Sequence, residues 1–335
     1  MKQFISPHYC DLLTRHGLNT FTGFWDLARN WVEDCNVRRN GLSGAIRHTL
    51  VDGEAGSFSM FVKLQENHNY RSPRHMLRWR PTFYRDFSNI RCMEEIGVPT
   101  VEPVFYAERR DGNKLQAVLA TVMLDGYREL NTVFEDLSLG GLVRQSILHR
   151  IADAVWLIHC HRLQHNSLSG KHVMIKLGED DAFDIRFLDL EKMRRSWSWL
   201  RTAVCDLEKF IRLTSTLTTV EHNELVRHYA RYLSSARRTK LVAMINERIA
   251  RRWPVKGVGV PVIHLRDSRD TSKQNGGQAP AIWHFLSPPL FRAFPKRWNA
   301  SSNDLSSRKR FLTLMIASFI VTALRLEWSA ISFAI

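Results

Sequence analysis

His165-Asn166-Ser167-Leu168-Ser169-Gly170-Lys171-His172, followed after a short apolar run by Phe187-Leu188-Asp189-Leu190-Glu191, decides how this chain folds. Residues 173–177 and 185–190 read as two short strands joined through the acidic turn Glu179-Asp180-Asp181. Asp189 stands among apolar neighbours, where an unpartnered carboxylate is costly to bury. A bound Mg2+ would supply the partner; the alternative is a strand-end aspartate that caps a turn.

Outward from this stretch, Val143, Ile147, Ile151, Ala154, Val155 and Ile158 form a helical stripe that ends just before the histidine loop. Beyond it, residues 203–217 and 225–249 again read as helices. Asp206 in the first of them is a candidate to tie the loop to the helix beneath, or else an ordinary carboxylate near a helix N-terminus. Toward the N-terminus the pattern becomes strand-like. Arg39-Asn40-Gly41-Leu42-Ser43-Gly44 reads as a glycine-serine turn and residues 57–64 as a strand with Lys63 near its end. Residues 81–96 have helical spacing, with Pro81 suited to the first turn and Gly97 to the stop; this helix carries Asp86. Residues 104–107 and 115–123 are strand-like and flank the turn Asp111-Gly112-Asn113. The fold class is therefore α+β, a small β-rich part with one helix followed by a mostly helical part. The expected division is 1–125, 126–253 and a tail, 254–335, of unassigned fold.

Phosphoryl transfer needs a cation on the phosphates, a metal bridging their oxygens, and a group that positions or deprotonates the acceptor hydroxyl. Lys63 offers the first, oriented by Asp86, and Asp189 the second. Gly41, Ser43 and Gly44 have the layout of a phosphate cradle, because glycines let backbone N–H groups approach closely; an ordinary hairpin has the same composition. Lys63 alone also fits a solvated strand-end lysine. His159, Cys160, His161 and His165 crowd together, but no second ligand pair with zinc-site spacing follows. A hydrolase Gly-x-Ser-x-Gly elbow is absent.

Forty-eight Lys plus Arg against 33 Asp plus Glu give a formal charge of +15, which favours phosphate-rich polyanions. No recognition-helix, zinc-finger or aromatic single-strand signature accompanies it, so a nucleic-acid partner is not expected. Five scattered cysteines without a Cys-x-x-Cys pair suit a reducing compartment. The first 25 residues lack the apolar core of a secretory signal. Residues 311–324 are apolar but short of a bilayer span, and they follow Arg308-Lys309-Arg310; they fit an anionic membrane surface or a docked terminal helix.

The order of these pieces is that of a protein kinase, in which a histidine-arginine-aspartate triplet and a later asparagine precede a metal-binding aspartate. His165 takes the histidine slot, Ser167 the catalytic aspartate's, His172 the asparagine's, and Asp189 the metal aspartate's. The residues 39–44, Phe61-Val62-Lys63-Leu64-Gln65, residues 97–104, Leu124-Asp125-Gly126-Tyr127-Arg128-Glu129-Leu130, and above all residues 164–173 and 187–192, resemble the lipopolysaccharide kinase (Kdo/WaaP) family and its InaA-like branch. The resemblance runs from about residue 38 to about residue 217.

It implies a protein-kinase-like two-lobed fold, ATP and Mg2+ as cofactors, and Gly41, Ser43, Gly44, Lys63 and Asp86 around the nucleotide. Asp189 and His172 would hold the metal, with Lys63, Ser167 and Asp189 at the reacting centre. The implied acceptor is a sugar hydroxyl of the lipopolysaccharide inner core, or another phosphorylated glycolipid, in the cytoplasm at the inner face of a bacterial inner membrane. Two departures stand out. Ser167 replaces the aspartate that serves as base, an absence that the InaA-like branch tends to share, and Asp86 is shorter than the usual glutamate. The alternative is a pseudokinase, a nucleotide-binding regulatory module in envelope or acid stress.

Overall fold

A computed structural model describes residues 3–32, 34–38, 41–51, 56–71, 78–252 and 261–265. The expected tail, 254–335, lies almost wholly outside the described residues, as do Arg39 and Asn40. The strands are β1 (Gln3–Ile5), β2 (Asn36–Arg38), β3 (Gly41–Val51), β4 (Ser57–Glu66), β5 (Asn69–Tyr70), β6 (Arg80–Pro81), β7 (Pro103–Asp111), β8 (Lys114–Val122), β9 (Arg128–Glu129), β10 (Leu163–Gln164), β11 (Val173–Leu177), β12 (Phe183–Phe187) and β13 (Arg194–Arg195). The helices are α1 (Cys10–Arg15), α2 (Phe21–Trp25), α3 (Thr82–Glu95), α4 (Leu130–Glu135), α5 (Gly141–Cys160), α6 (Trp199–Leu213), α7 (Thr219–Ala230) and α8 (Ser235–Arg252).

Six strands form an antiparallel sheet in the order β1-β7-β8-β4-β3-β2. Alternation along β4 decides which side chains face which way, because successive residues of a strand point to opposite faces. Met60, Val62 and Leu64 are buried against Leu13, Leu18, Phe21 and Phe24, residues from α1, α2 and the segment between them, on the outer face. Lys63 therefore points to the inner face. Strand β8 is buried on both sides: Val118 and Ala120 join the outer cluster, Ala117 and Leu119 the inner one. The sequence pattern gave no sign of α1 and α2, which are too short to show a helical period.

Helix α3 packs on the inner face through Phe83, Ile90 and Met93. Pro81 is its N-cap, with φ −60° already set for entry. Gly97, at φ +76°, ends it in a conformation that an L side chain adopts only with strain. The same hydrophobic cluster continues without interruption through Ile147, Ile151 and Val155 of α5 to Leu207 and Phe210 of α6 and Tyr229 of α7. Each such fully buried side chain contributes roughly 1.5–3 kcal/mol.

Three expectations need correction. Residues 41–44 are not a turn but the start of β3, paired with β2 and, through Gly44 opposite Leu64, with β4. Residues 225–249 are not one helix but parts of α7 and α8. The chain turns at residues 231–234, where Leu233 is buried and its N–H bonds the carbonyl of Ala230, closing α7 while Leu233 anchors the corner. Residues 188–190 leave the strand for a 3-10 turn, Leu190–Lys192, so the second strand of the hairpin ends at Phe187.

Candidate active site

Lys63, Asp86, His172 and Asp189 line one cleft of about 720 Å³, together with Ser43 and Gly44 of β3, Met123 and Leu124 after β8, and Leu188 and Leu190. Gly41 and Ser167 are not among its lining residues. The cleft lies where the inner face of the sheet, the N-terminal half of α3, and the end of the β11–β12 hairpin meet.

The Lys63 ammonium donates to Asp86 Oδ2 at 2.6 Å. The Asp86 side chain is 5% exposed and that of Lys63 30%, so the pair is closed on the helix side and open on the cleft side. Burial disfavours the ammonium, but Asp86, with Asp189 and Glu191 adding to it, holds Lys63 above the ordinary lysine range. The shorter aspartate nevertheless reaches Lys63. Glu191 was not singled out from the sequence beyond its place in the 187–192 segment. Burial first, then Asp86 and Asp189, push its carboxyl up. Three carboxylates, Asp86, Asp189 and Glu191, thus act on the Lys63 ammonium, with Arg85 and Lys192 as further cations beside them.

Asp189 takes φ 55° and ψ 53°, the left-handed region, which costs a non-glycine residue on the order of 1–2 kcal/mol. The strain turns its carboxylate out of the strand direction. Its Oδ2 lies 3.8 Å from His172 Nε2 and 3.9 Å from Lys192 Nζ. The other ring nitrogen of His172, Nδ1, is 2.5 Å from the carbonyl oxygen of Ser167 and must donate to it. With Nδ1 committed to that bond, Nε2 is the nitrogen that faces Asp189, the orientation of a metal-ligating histidine whose second nitrogen is held. One carboxylate and one imidazole could thus serve as two ligands of a divalent cation; among the described residues no group of three such side chains is present.

The loop that carries these groups is held from below. Asp206, fully buried on α6, accepts from the backbone N–H of His165 at 2.7 Å, from that of Asn166 at 3.0 Å, and from His159 Nε2 at 3.2 Å. Burial opposes its charge, but these donors win and its carboxyl lies below the usual range. Asp206 thus takes the loop-tying role rather than that of a plain helix carboxylate. His159 also pairs with Tyr229 and is committed to this network. His165 is buried, its Nδ1 accepting from the Ser167 N–H at 3.3 Å, and burial lowers its pKa to about 4. From the opposite side, Asn89 of α3 donates to the carbonyls of Leu190 and Met193 at 2.6 and 3.1 Å, clamping the segment after Asp189 to the helix that carries Asp86. An asparagine on the polar face of a helix carries no sequence signal for that role.

The two glycines of β3 are explained by packing. A Cβ on Gly44 would sit 2.5 Å from the Trp31 ring, and one on Gly41 2.7 Å from the His68 ring and 2.8 Å from the Glu66 carbonyl. Ser43 and Gly44 nevertheless form one wall of the cleft.

Comparison with known proteins bears on the same residues. The solved structure of WaaP in complex with acyl carrier protein is similar to this chain at a TM-score of 0.53 and 17% identity, covering 76% of this chain and 100% of that one; this is the kinase-like α+β fold. Protein InaA of Escherichia coli (strain K12) is 30% identical over 178 residues, 52% of this chain and 79% of that protein. The model of the lipopolysaccharide kinase (Kdo/WaaP) family matches residues 22–229, a span that contains the sheet apart from β1, together with α3, the histidine loop and Asp189. The chain therefore belongs to the lipopolysaccharide kinase (Kdo/WaaP) family.

Proposed function

We propose that the cleft binds ATP with a divalent cation, Mg2+ in the first instance, and that the protein transfers the terminal phosphoryl group to a sugar hydroxyl of the lipopolysaccharide inner core at the inner face of the membrane. The observation that carries this reading is the convergence of the Lys63–Asp86 pair with Asp189 and His172 on one cleft. Lys63 would neutralise phosphate oxygens while Asp86 keeps its ammonium charged and aimed. Asp189 and His172 would hold the metal, whose chemistry is to bridge and polarise phosphate oxygens. Ser43 and Gly44 would cover the nucleotide from β3. We read the sheet with α3 as one lobe, residues 1–125, and the helical part, residues 126–253, as the other.

A second reading, a nucleotide-binding pseudokinase, is favoured by Ser167. Its backbone N–H and carbonyl hold His165 and His172, and a serine hydroxyl cannot itself take a proton at neutral pH. Because general-base help supplies roughly 10²–10⁴-fold, its loss slows transfer without removing nucleotide binding. Nucleotide binding by calorimetry and transfer from radiolabelled ATP to purified core oligosaccharide, each beside Lys63→Ala, separate the readings. Transfer that vanishes in the variant supports the kinase; binding without transfer supports the pseudokinase. If there is no binding at all, both readings fail.

A further inference from the structure

We infer that the ribbon following the metal-side aspartate is a docking face for an anionic lipid bilayer. From Lys192 to Cys205 the chain carries four cations and no carboxylate. Strand β13 pairs antiparallel with β10, Leu163 opposite Arg195. The Ser196 N–H donates to the Arg162 carbonyl at 2.7 Å, and Arg162 Nη1 donates to the Trp197 carbonyl at 2.9 Å. Ser198 then caps α6 by accepting from the Arg201 N–H. The loop is thereby fixed, and at its tip the Trp197 side chain is 100% exposed.

An indole held fully in water by a rigid backbone is disfavoured unless something apolar receives it. Arg162, Arg194, Arg195 and Arg201 are all exposed around it, and among the described residues none of them has a carboxylate partner. Guanidinium groups with an indole at their centre match the headgroup region of a negatively charged membrane, where tryptophan settles at the interface and each arginine gains from the surface potential. A second copy of this face would be repelled by its own charge. Trp197 is not among the residues that line the described cleft. The inference does not rest on nucleotide binding.

The test is flotation of the full chain with phosphatidylglycerol-containing vesicles and with pure phosphatidylcholine vesicles, without nucleotide. Binding is expected to the first only, reduced about fivefold in Trp197→Ala and tenfold or more in the double variant Arg194→Glu/Arg195→Glu. Circular dichroism melts should be unchanged, because these side chains are exposed; if the double variant does not fold, Arg201→Glu takes its place. Equal flotation of wild type and variants would overturn the proposal by placing the contact elsewhere, the basic and apolar residues 308–324 included. So would retention on heparin without vesicle binding, the behaviour of a soluble-polyanion binder.

Discussion

His172 Nε2 faces Asp189 Oδ2 across 3.8 Å while the far side of the same imidazole donates to the Ser167 carbonyl. A lone pair and a carboxylate aimed at one another are stable together when a cation lies between them or when the imidazole is protonated. The first case predicts that Mn2+ binding, followed by electron paramagnetic resonance with a non-hydrolysable nucleotide present, weakens about tenfold or more in Asp189→Asn and in His172→Ala. Imidazole also favours later transition metals over Mg2+, so His172→Asn should shift preference toward Mg2+. Unchanged Mn2+ affinity in both single variants would remove His172 and Asp189 as ligands.

Acid should destabilise the protein well above the carboxylate range. His165 and His222 are buried, and burial lowers each to about 4 from an ordinary value of 6.5. Between those limits the unfolded chain binds the protons and the folded one does not, so stability falls as pH falls from about 6.5 toward 4. Each group contributes at most about 1.4 kcal/mol per pH unit. Asp206 has the opposite kind of shift: its folded pKa is depressed, so its contribution is present above the unfolded value and lost only as pH drops through the folded one. Urea midpoints from pH 7 to 4.5 should decline, with a shallower slope in His222→Phe. A flat profile would contradict the burial of both imidazoles.

Asp206→Ala should be among the most damaging single substitutions in the molecule. It strips the partner from the buried backbone N–H of His165, from the half-buried one of Asn166 and from His159, a loss on the order of 3–5 kcal/mol. Asp206→Asn keeps the shape and should cost less. Thermal melts of the two, with Ser198→Ala as a surface-cap comparison, give the ranking.

Restoring the missing carboxylate tests whether the loop still supports catalysis. Ser167→Asp is expected to raise phosphoryl transfer by about 10²-fold or more if the acceptor hydroxyl sits beside the loop. No gain, with nucleotide affinity intact, would favour the regulatory reading. The substituted side chain enters a site only 6% exposed, so a melt must accompany the assay.

Gly44→Ala separates packing from phosphate binding. The new methyl would lie 2.5 Å from the Trp31 ring, and overpacking of this kind costs about 1–3 kcal/mol. In the double variant with Trp31→Ala the stability penalty of the alanine should shrink. A weakened nucleotide affinity that persists in the double variant would mean that Gly44 is needed by the ligand as well.

Much of the architecture was legible in local patterns. Pro81 and Gly97 bracket α3, the stripe from Val143 to Ile158 lies on α5, and the turn at Asp111-Gly112-Asn113 joins β7 to β8. The loop 165–172 and Asp189 were legible as well, since they lie close in sequence and keep a fixed spacing. What escaped were features without a period. The helices α1 and α2 are five or six residues long, Asn89 is one polar residue on a helix face, and the break at residues 231–234 carries neither glycine nor proline. The glycines of β3 were read as a turn because glycine composition marks where backbone can approach something closely, not whether the segment is a turn or a paired strand.

The amino-acid sequence by itself determined the local elements: alternation along β4 that turns Lys63 away from the outer core, helix ends set by proline and glycine, and the order of histidine loop, hairpin and aspartate. Only the tertiary structure decided that Asp86 meets Lys63, that Asp206 reaches up to the backbone of His165, and that His172 is oriented toward Asp189. Those contacts join residues distant in the chain or hang on a strained backbone angle. They form because burying one continuous apolar core across the sheet, α3 and the C-terminal helices fixes where the polar groups come to lie.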